Sequence, residues 1–290
     1  MKLCRYGPPG NEKPGLIDDN GRLRDLSGLA PDIGPAELSP QALARFEALK
    51  ASELPLVDGN PRFGTPFVGT RQFMAIGLNY SDHAREANME IPKEPVVFTK
   101  AVSCIQGPND PIILPPESMK TDWEVELGVV IGSKACYVPE SKALEYVAGY
   151  CVINDLSERA YQLERGGTWD KGKGCPTFGP IGPWLVSSNE VGDPQKLAMW
   201  LDVNGRRVQQ GSTSTMIFGI ATLVSYLSQF MTLLPGDVIT TGTPPGVGLG
   251  QKPTPWYLKP GDVVTLGIEK LGAQRQVVVA HEASSAGKLR

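Results

Sequence analysis

The sequence predicts an α+β protein in which short strands outnumber helices. Short segments that alternate apolar and other residues recur along the chain, whereas few stretches have the spacing of an amphipathic helix. The chain contains 33 glycines and 26 prolines, which is typical of a protein with many turns between short strands. Its 290 residues are enough to bury a large core in one or two domains.

The composition excludes several classes of function. A net charge of −3 gives no electrostatic case for nucleic-acid binding. The apolar stretch 215–234 contains Ser225, Ser228 and Gln229, so we interpret it as a buried helix and expect no membrane span. The first five residues lack the apolar core of a signal peptide, and the five scattered cysteines form no C-x-x-C motif. We therefore expect a cytoplasmic protein.

Residues 1–68 are predicted to form a small N-terminal unit. A strand is expected at 3–6, followed by a hairpin over 15–23 that turns at Asn20-Gly21. A serine and a proline at 39–40 are typical of the start of a helix, which we expect to end near residue 49.

Residues 69–290 are predicted to form the main domain. Helices are expected at 81–86 and 215–230. Strands are expected at 73–77, 96–99, 124–131, 149–153, 184–186, 197–203, 206–209, 238–241, 263–268 and 276–280. No glycine-rich phosphate-binding motif follows any of these strands, so nucleotide binding is not supported.

Two glutamates, Glu124 and Glu126, stand out in the strand-like run 121–130. Residues two apart on a strand point to the same face, so the two carboxylates are expected side by side. Burying them together is unfavourable unless a cation offsets their charge, and oxygen ligands suit Mg²⁺ or Mn²⁺. The alternative is an ordinary solvated strand face.

A third carboxylate, Asp155, ends the predicted strand 149–153. If a helix follows, Asp155, Arg159 and Gln162 fall on one face of it. Because strand ends are common positions for functional sites, these residues are candidates for a site. The alternative is that Asp155 only caps a helix.

His83 and Glu86 lie three residues apart on the predicted helix 81–86, which makes them neighbours. A histidine oriented by a carboxylate is a suitable general base. The alternative is a surface ion pair. Further along the chain, the loop 168–183 contains Lys173, and the loop 240–248 offers hydroxyl and backbone N–H groups, although either loop could serve only as a connection.

Taken in order, these segments form a specific series of motifs between residues 72 and 268. The series reads N-Y-x-D-H-x-x-E, D-x-E-x-E-L-G, N-D-x-[ST]-x-R-x-x-Q, G-K…T-F-G-P-x-G-P and T-G-T-P-x-G-V-G. In this series the chain strongly resembles the fumarylacetoacetate hydrolase family. The resemblance implies a mixed β-roll main domain, a small N-terminal unit and a homodimer.

The resemblance also implies roles for individual residues. It implies Mg²⁺ or Mn²⁺ bound by Glu124, Glu126 and Asp155, with Lys173 beside the metal and the substrate. It places four residues at the substrate and two on a lid helix that activates water. The four are Arg159, Gln162, Thr177 and Thr243, and the two are His83 and Glu86.

Two positions depart from the family pattern. Pro176 replaces the aspartate that many members have near the lysine, and Asn79 stands where fumarylacetoacetate hydrolase itself has a further metal-binding aspartate. The second difference argues against fumarylacetoacetate as the substrate.

The resemblance implies a small 2-oxo acid as the substrate. The segment around residues 172–186 is similar to bacterial enzymes that hydrolyse 2,4-diketo-3-deoxy-L-rhamnonate or -fuconate to pyruvate and L-lactate. We therefore expect hydrolysis of the C3–C4 bond of such an acid. Acylpyruvate hydrolase, oxaloacetate decarboxylase, ureidoglycolate lyase and a non-catalytic metal-binding dimer are the alternatives.

Overall fold

The structure, a computed structural model, describes residues 1–86 and 90–282, without the side chains of Ala84 and Glu86. Its helices are α1 (Pro40–Glu47), α2 (Ser81–Glu86), α3 (Arg159–Leu163), α4 (Asp170–Lys173), α5 (Ser188–Val191) and α6 (Ile220–Phe230). Its strands are β1 (Lys2–Tyr6), β2 (Lys13–Ile17), β3 (Leu23–Asp25), β4 (Phe73–Gly77), β5 (Val96–Thr99), β6 (Ile105–Gln106), β7 (Ile112–Ile113), β8 (Thr121–Asp122), β9 (Val125–Ile131), β10 (Val147–Asn154), β11 (Ser157–Glu158), β12 (Gly179–Ser187), β13 (Ala198–Val203), β14 (Arg206–Ser212), β15 (Val238–Thr240), β16 (Val263–Ile268) and β17 (Gly272–Val279).

The strands form one large sheet and two smaller ones. The large sheet has the order β3-β2-β1-β12-β10-β9-β15-β4-β5, and β6 pairs with β12. A five-stranded sheet has the order β14-β13-β16-β17-β7, and β8 pairs with β11. Parallel and antiparallel pairs occur together, for example β15 with β4 and β15 with β9. The predicted α+β class, with mixed sheets and few helices, is confirmed.

The strand β9 lies at the centre of the large sheet and is buried on both faces. It pairs antiparallel with β10 on one side and with β15 on the other. All seven of its residues are buried, including Glu126. A carboxylate at such a position has lost its water, so its partners must come from the protein or from a bound ion.

The run 121–130 is two strands, whereas we predicted a single one. The first, β8, pairs with β11, and the second, β9, pairs with β10, so Glu124 lies between two different ladders. The break occurs where the Asp122 carboxylate accepts a hydrogen bond from the backbone N–H of Trp123. Such a local bond competes with continuous strand pairing.

The long helix begins later than predicted. The segment 213–215 forms a 3₁₀ turn, and α6 starts at Ile220 after Gly219. The side-chain oxygen of Gln195 accepts a hydrogen bond from the Ile220 N–H at 2.7 Å and so satisfies the first turn of the helix. With 11 residues, α6 is short, and no helix in the described ranges is long and apolar enough to cross a membrane.

The segment after β10 also differs from the prediction. Asp155 does not cap a helix, because the short strand β11 follows it and α3 starts only at Arg159. The cap of α3 is Glu158, whose side chain accepts a hydrogen bond from the backbone N–H of Ala160. Asp155 is therefore free of a capping role at the end of a buried strand.

The N-terminal strands continue the large sheet through the pairing of β1 with β12. Charged side chains add further links, because Arg62 pairs with Glu12 at 2.9 Å and with Asp110 at 2.5 Å. The division of the chain into residues 1–68 and 69–290 stays a prediction.

The position of β9 leads to a stability prediction. We expect Leu127→Ala to lower the free energy of unfolding by about 2–5 kcal/mol, because the side chain is fully buried and its loss leaves a cavity. Leu29→Ala, at an exposed position, is the control and should change the value by less than about 0.5 kcal/mol. Equal effects in urea denaturation would contradict the central position of β9.

Candidate active site

Three buried carboxylates meet where β9 and β10 run side by side. Glu126 lies on β9, Glu124 directly precedes this strand, and Asp155 directly follows β10. The backbone N–H of Asp155 donates to the carbonyl oxygen of Glu124 at 2.8 Å, which fixes the two residues next to each other. Each residue offers one oxygen, and these three oxygens lie within 4.8 Å of one another. The structure thus brings together the three predicted metal ligands.

Three cationic side chains surround two of these carboxylates. Lys173 Nζ lies 2.5 Å from Glu124 Oε2 and 2.6 Å from Asp155 Oδ2, so it bridges both. Arg159 Nη2 lies 2.6 Å from Glu124 Oε1, and Lys100 Nζ lies 2.6 Å from Asp155 Oδ1. Because all of these groups are buried, each ion pair acts in a medium of low polarity.

Glu126 has neutral partners instead. Its Oε2 accepts hydrogen bonds from the Thr240 hydroxyl at 2.5 Å and from the Gly242 N–H at 2.8 Å. Gly242 has a φ of +93°, and a Cβ there would lie 2.9 Å from Asn79 Cβ, so only glycine fits without strain. The glycine of the T-G-T motif therefore brings its backbone N–H to Glu126.

The environment separates the pKa values of the two glutamates. Burial raises the pKa of Glu126 well above its usual range, and the charges of Asp155 and Glu124 add to this increase. Burial also acts against ionisation of Glu124, but Lys173 and Arg159 outweigh it and lower its pKa to about 2. For Lys173, burial lowers the pKa, yet Asp155 and Glu124 outweigh it and raise the pKa above its usual value.

The three carboxylates fit a hard divalent cation. Oxygen-only ligands suit Mg²⁺ and Mn²⁺. Asp155 Oδ1 is fully buried and makes no directional hydrogen bond, since its contact with Lys100 is an ion pair without hydrogen-bond geometry. A buried acceptor of this kind is uncommon in proteins, and a cation would satisfy it.

A cavity of about 440 Å³ opens above the carboxylates. Its floor is charged, with Glu124, Glu126, Arg159 and Lys173, while much of its wall is apolar. The apolar wall residues are Ile76, Leu78, Phe98, Leu163, Trp169, Val247 and Leu249. A site with a charged end and an apolar wall suits a small acid with a partly apolar tail.

The helix α2 brings His83 to the cavity. His83 is half-buried and lines the cavity, as expected for a residue that acts on a bound substrate. Glu86 is the last residue of α2, but its side chain lies outside the described part of the structure. The pairing of His83 with Glu86 therefore stays a prediction.

Arg159 and Gln162 line the cavity but are largely engaged with protein groups. Arg159 donates from Nε to Asp122 at 2.8 Å, from Nη1 to Gln162 Oε1 at 2.9 Å and from Nη2 to Glu124. Gln162 thus accepts from Arg159, and its amide nitrogen has no partner among the described residues. Of the two, Gln162 is the better placed to donate to a ligand.

The two predicted threonines differ in their positions. Thr243 lines the cavity, but its hydroxyl donates to the carbonyl oxygen of Val125 at 2.9 Å and accepts from Gln209 at 2.8 Å. Thr177 does not belong to the described cavity lining, and its hydroxyl accepts the Ile113 N–H at 2.9 Å. The geometry gives neither hydroxyl a free hydrogen for a substrate.

Sequence reasoning missed two residues of the site. Lys100, directly after β5, has a fully buried side chain and offers no sequence signal beyond a lysine at a strand end. Asp122 belongs to the D-x-E-x-E motif, yet the pattern gave it no role. A third residue, Asn79, clamps two loops by donating to Thr241 O at 2.8 Å and accepting the Phe218 N–H at 2.8 Å.

Comparison with known proteins gives consistent matches. The family model for the fumarylacetoacetate (FAA) hydrolase C-terminal domain matches residues 72–279. A relative from Burkholderia multivorans, whose name specifies only a hydrolase, is 62% identical over 280 residues, which cover 97% of this chain and 99% of that protein.

Two solved structures extend these matches to the fold. Fumarylacetoacetate hydrolase from Exiguobacterium antarcticum is 34% identical, with a TM-score of 0.86, and the match covers 97% of this chain and 100% of that one. The 2-hydroxyhepta-2,4-diene-1,7-dioate isomerase from Mycobacterium marinum is 31% identical, with a TM-score of 0.72, and covers 97% and 98%. The expected architecture is confirmed by these matches.

The carboxylate cluster leads to a prediction about metal binding. We expect Glu126→Gln to fold, because an amide oxygen can still accept from Thr240 and Gly242. Its affinity for Mg²⁺ or Mn²⁺ should fall by at least roughly tenfold, because an anionic ligand is lost. Calorimetric titration measures this change, with Glu145→Gln at an exposed position as the control. Unchanged affinity in Glu126→Gln would refute the metal site.

Proposed function

The chain belongs to the fumarylacetoacetate hydrolase family, and we propose on that premise that it is a metal-dependent hydrolase of a 2,4-dioxo acid. One observation carries the proposal. The carboxylates Glu124, Glu126 and Asp155 form the floor of a cavity that also contains Lys173 and His83. Such a site combines metal ligands, a buried cation and a candidate base around one small space.

The floor of the cavity would bind the 2-oxo acid end of the substrate. A divalent cation held by Glu124, Glu126 and Asp155 would supply Lewis acidity to the carboxylate and the 2-oxo group. Lys173 stays charged, because its pKa is raised. Its ammonium group can therefore stabilise the negative charge that develops on the 2-oxo oxygen when the C3–C4 bond breaks.

His83 would act as the general base. Its imidazole accepts a proton from a water molecule, whose oxygen adds to the C4 carbonyl. The C3–C4 bond then breaks, its electron pair passes to C3 as an enolate, and protonation of C3 gives pyruvate. The C4 fragment leaves as a carboxylic acid. Apolar wall residues such as Phe98 and Trp169 limit the water around these steps.

We propose 2,4-diketo-3-deoxy-L-rhamnonate or -fuconate as the substrate. Beyond C4, either acid has only one hydroxyl-bearing carbon and a methyl group. The free amide nitrogen of Gln162 suits the hydroxyl, while Leu78 and Leu163 suit the methyl group. This assignment no longer relies on hydroxyl recognition by Arg159 or Thr243, whose donors are engaged. The products would be pyruvate and L-lactate.

A specific observation favours isomerisation as a second candidate function. The Mycobacterium marinum protein, 31% identical, is named an isomerase of 2-hydroxyhepta-2,4-diene-1,7-dioate. Isomerisation moves a proton between carbons and uses no hydrolytic water, and the same is true of water for the alternatives oxaloacetate decarboxylase and ureidoglycolate lyase. The presence of His83 at the cavity favours hydrolysis. We also propose that the protein is a homodimer.

The role of His83 can be tested directly. We expect His83→Ala to lower kcat for hydrolysis by roughly 10²–10⁴-fold, the usual contribution of a general base. Binding of Mg²⁺ should persist, because the carboxylates that would hold the cation lie on other elements. His281→Ala, which changes an exposed residue, is the control and should keep full activity. Near-normal turnover in His83→Ala would rule out its function as the base.

The substrate is tested by comparing kcat/KM for five compounds with saturating Mg²⁺. These are 2,4-diketo-3-deoxy-L-rhamnonate, acetylpyruvate, oxaloacetate, ureidoglycolate and 2-hydroxyhepta-2,4-diene-1,7-dioate. We expect the sugar-derived acid to be preferred and to release pyruvate. A tenfold preference for another compound, about 1.4 kcal/mol of transition-state stabilisation, would overturn the sugar-acid assignment. Absence of pyruvate from every 2,4-dioxo acid would overturn the hydrolase.

A further inference from the structure

An alternating series of ion pairs runs beneath the cavity. In spatial order the series is Asp122, Arg159, Glu124, Lys173, Asp155 and Lys100. Every neighbouring pair in it is closer than 3 Å, and every member is buried. The series contains three carboxylates and three cations, so it is neutral, and Glu126 adds one further negative charge beside it.

Asp122 terminates this series and has no direct contact with the cavity. It is fully buried and is not part of the described cavity lining. Its Oδ1 accepts the N–H groups of Trp123 at 2.8 Å and Gly248 at 2.6 Å, and its Oδ2 accepts the Leu249 N–H at 2.9 Å. Three backbone donors therefore fix the carboxylate in place, in addition to Arg159.

We propose that Asp122 is a positioning residue that keeps Glu124 available to the cation by sharing the charge of Arg159. The guanidinium lies between two carboxylates, with Nε on Asp122 and Nη2 on Glu124. The inference rests on the proposed function, because it assumes a divalent cation at Glu124, Glu126 and Asp155.

The charge count gives the physical reason. With Asp122 present, four carboxylates face three cations, and the net charge of −1 favours an incoming cation. Without it, three carboxylates face three cations, and the guanidinium would bind Glu124 alone. A buried positive charge that has lost one partner is costly, and it competes with a metal for the remaining one. The backbone contacts of Asp122 prevent it from following Arg159, so the balance depends on its charge.

The test is a set of calorimetric titrations with MnCl₂ on three variants and the wild type. We expect Asp122→Asn to weaken Mn²⁺ binding roughly 10–100-fold, the usual effect of removing a group that supports a ligand. The double variant Asp122→Asn with Arg159→Met restores the net charge of −1, so it should bind Mn²⁺ at least fivefold more tightly than Asp122→Asn. A purely structural role for Asp122 predicts no such recovery.

Asp237→Asn is the matched control. Asp237 is also fully buried and accepts the backbone N–H groups of Arg71, Gln72 and Leu234, but it contacts no residue of the series. We expect it to lower the Tm while changing the Kd for Mn²⁺ less than about threefold. A loss of affinity in this control equal to that in Asp122→Asn would overturn the proposal.

The remaining outcomes are also decisive. A double variant that binds no more tightly than Asp122→Asn overturns the role of Asp122. If Asp122→Asn does not fold, the double variant is compared with the wild type, because it buries no unpaired guanidinium. Affinity within tenfold of wild type then supports the proposal, and a larger loss overturns it. A wild-type protein without measurable Mn²⁺ affinity refutes the cation centre of the proposed function together with this inference.

Discussion

The burial of one unpaired carboxylate among alternating ion pairs is the constraint on which the site depends. Charges in the interior are tolerated only when partners offset their lost hydration. Lys173 and Arg159 do so for Glu124, and Lys173 and Lys100 do so for Asp155. Glu126 has only neutral donors, and its raised pKa is the consequence. The fold is therefore complementary to one more positive charge at this point.

The surrounding fold serves to bring distant segments to this charge. The two central strands supply the carboxylates, and the T-G-T loop that follows β15 supplies the Gly242 N–H to Glu126. The ends of Asp122 and Asn79 side chains hold loops at the cavity wall and behind it. Loops that form a cavity must be fixed if a ligand is to be held accurately, and buried polar side chains achieve this without closing the cavity.

The sequence predicted the parts of the fold that depend on local patterns. The strand β4, the helix α2 and the turn after β13 follow from alternation, a capping serine and an Asn-Gly pair, so their positions were predicted correctly. The break between β8 and β9 was not predictable, because it depends on which strands pair across the molecule and on the contact of Asp122 with a loop more than a hundred residues away. The late start of α6 likewise depends on a distant glutamine.

The same distinction applies to the candidate site. Carboxylates on neighbouring strands can be recognised from motif order, and the structure brings Glu124, Glu126 and Asp155 together. Lys100 could not be recognised, because a lysine after a strand is usually exposed, and only the tertiary fold turns it towards Asp155. The donor state of Thr243 was also invisible, since its hydrogen is used by Val125 in an adjacent strand.

Consequently the charged floor and the cavity wall carry different information. The floor determines that a 2-oxo acid with a cation fits, and relatives named as hydrolases or isomerases share the fold around it. The wall, from Leu78 to Leu163 and Trp169, contacts whatever extends beyond the 2-oxo acid. Selectivity for the tail must therefore come from this apolar wall and the single free amide of Gln162, which favours a short tail with one hydroxyl and a methyl group over a longer polyhydroxylated chain.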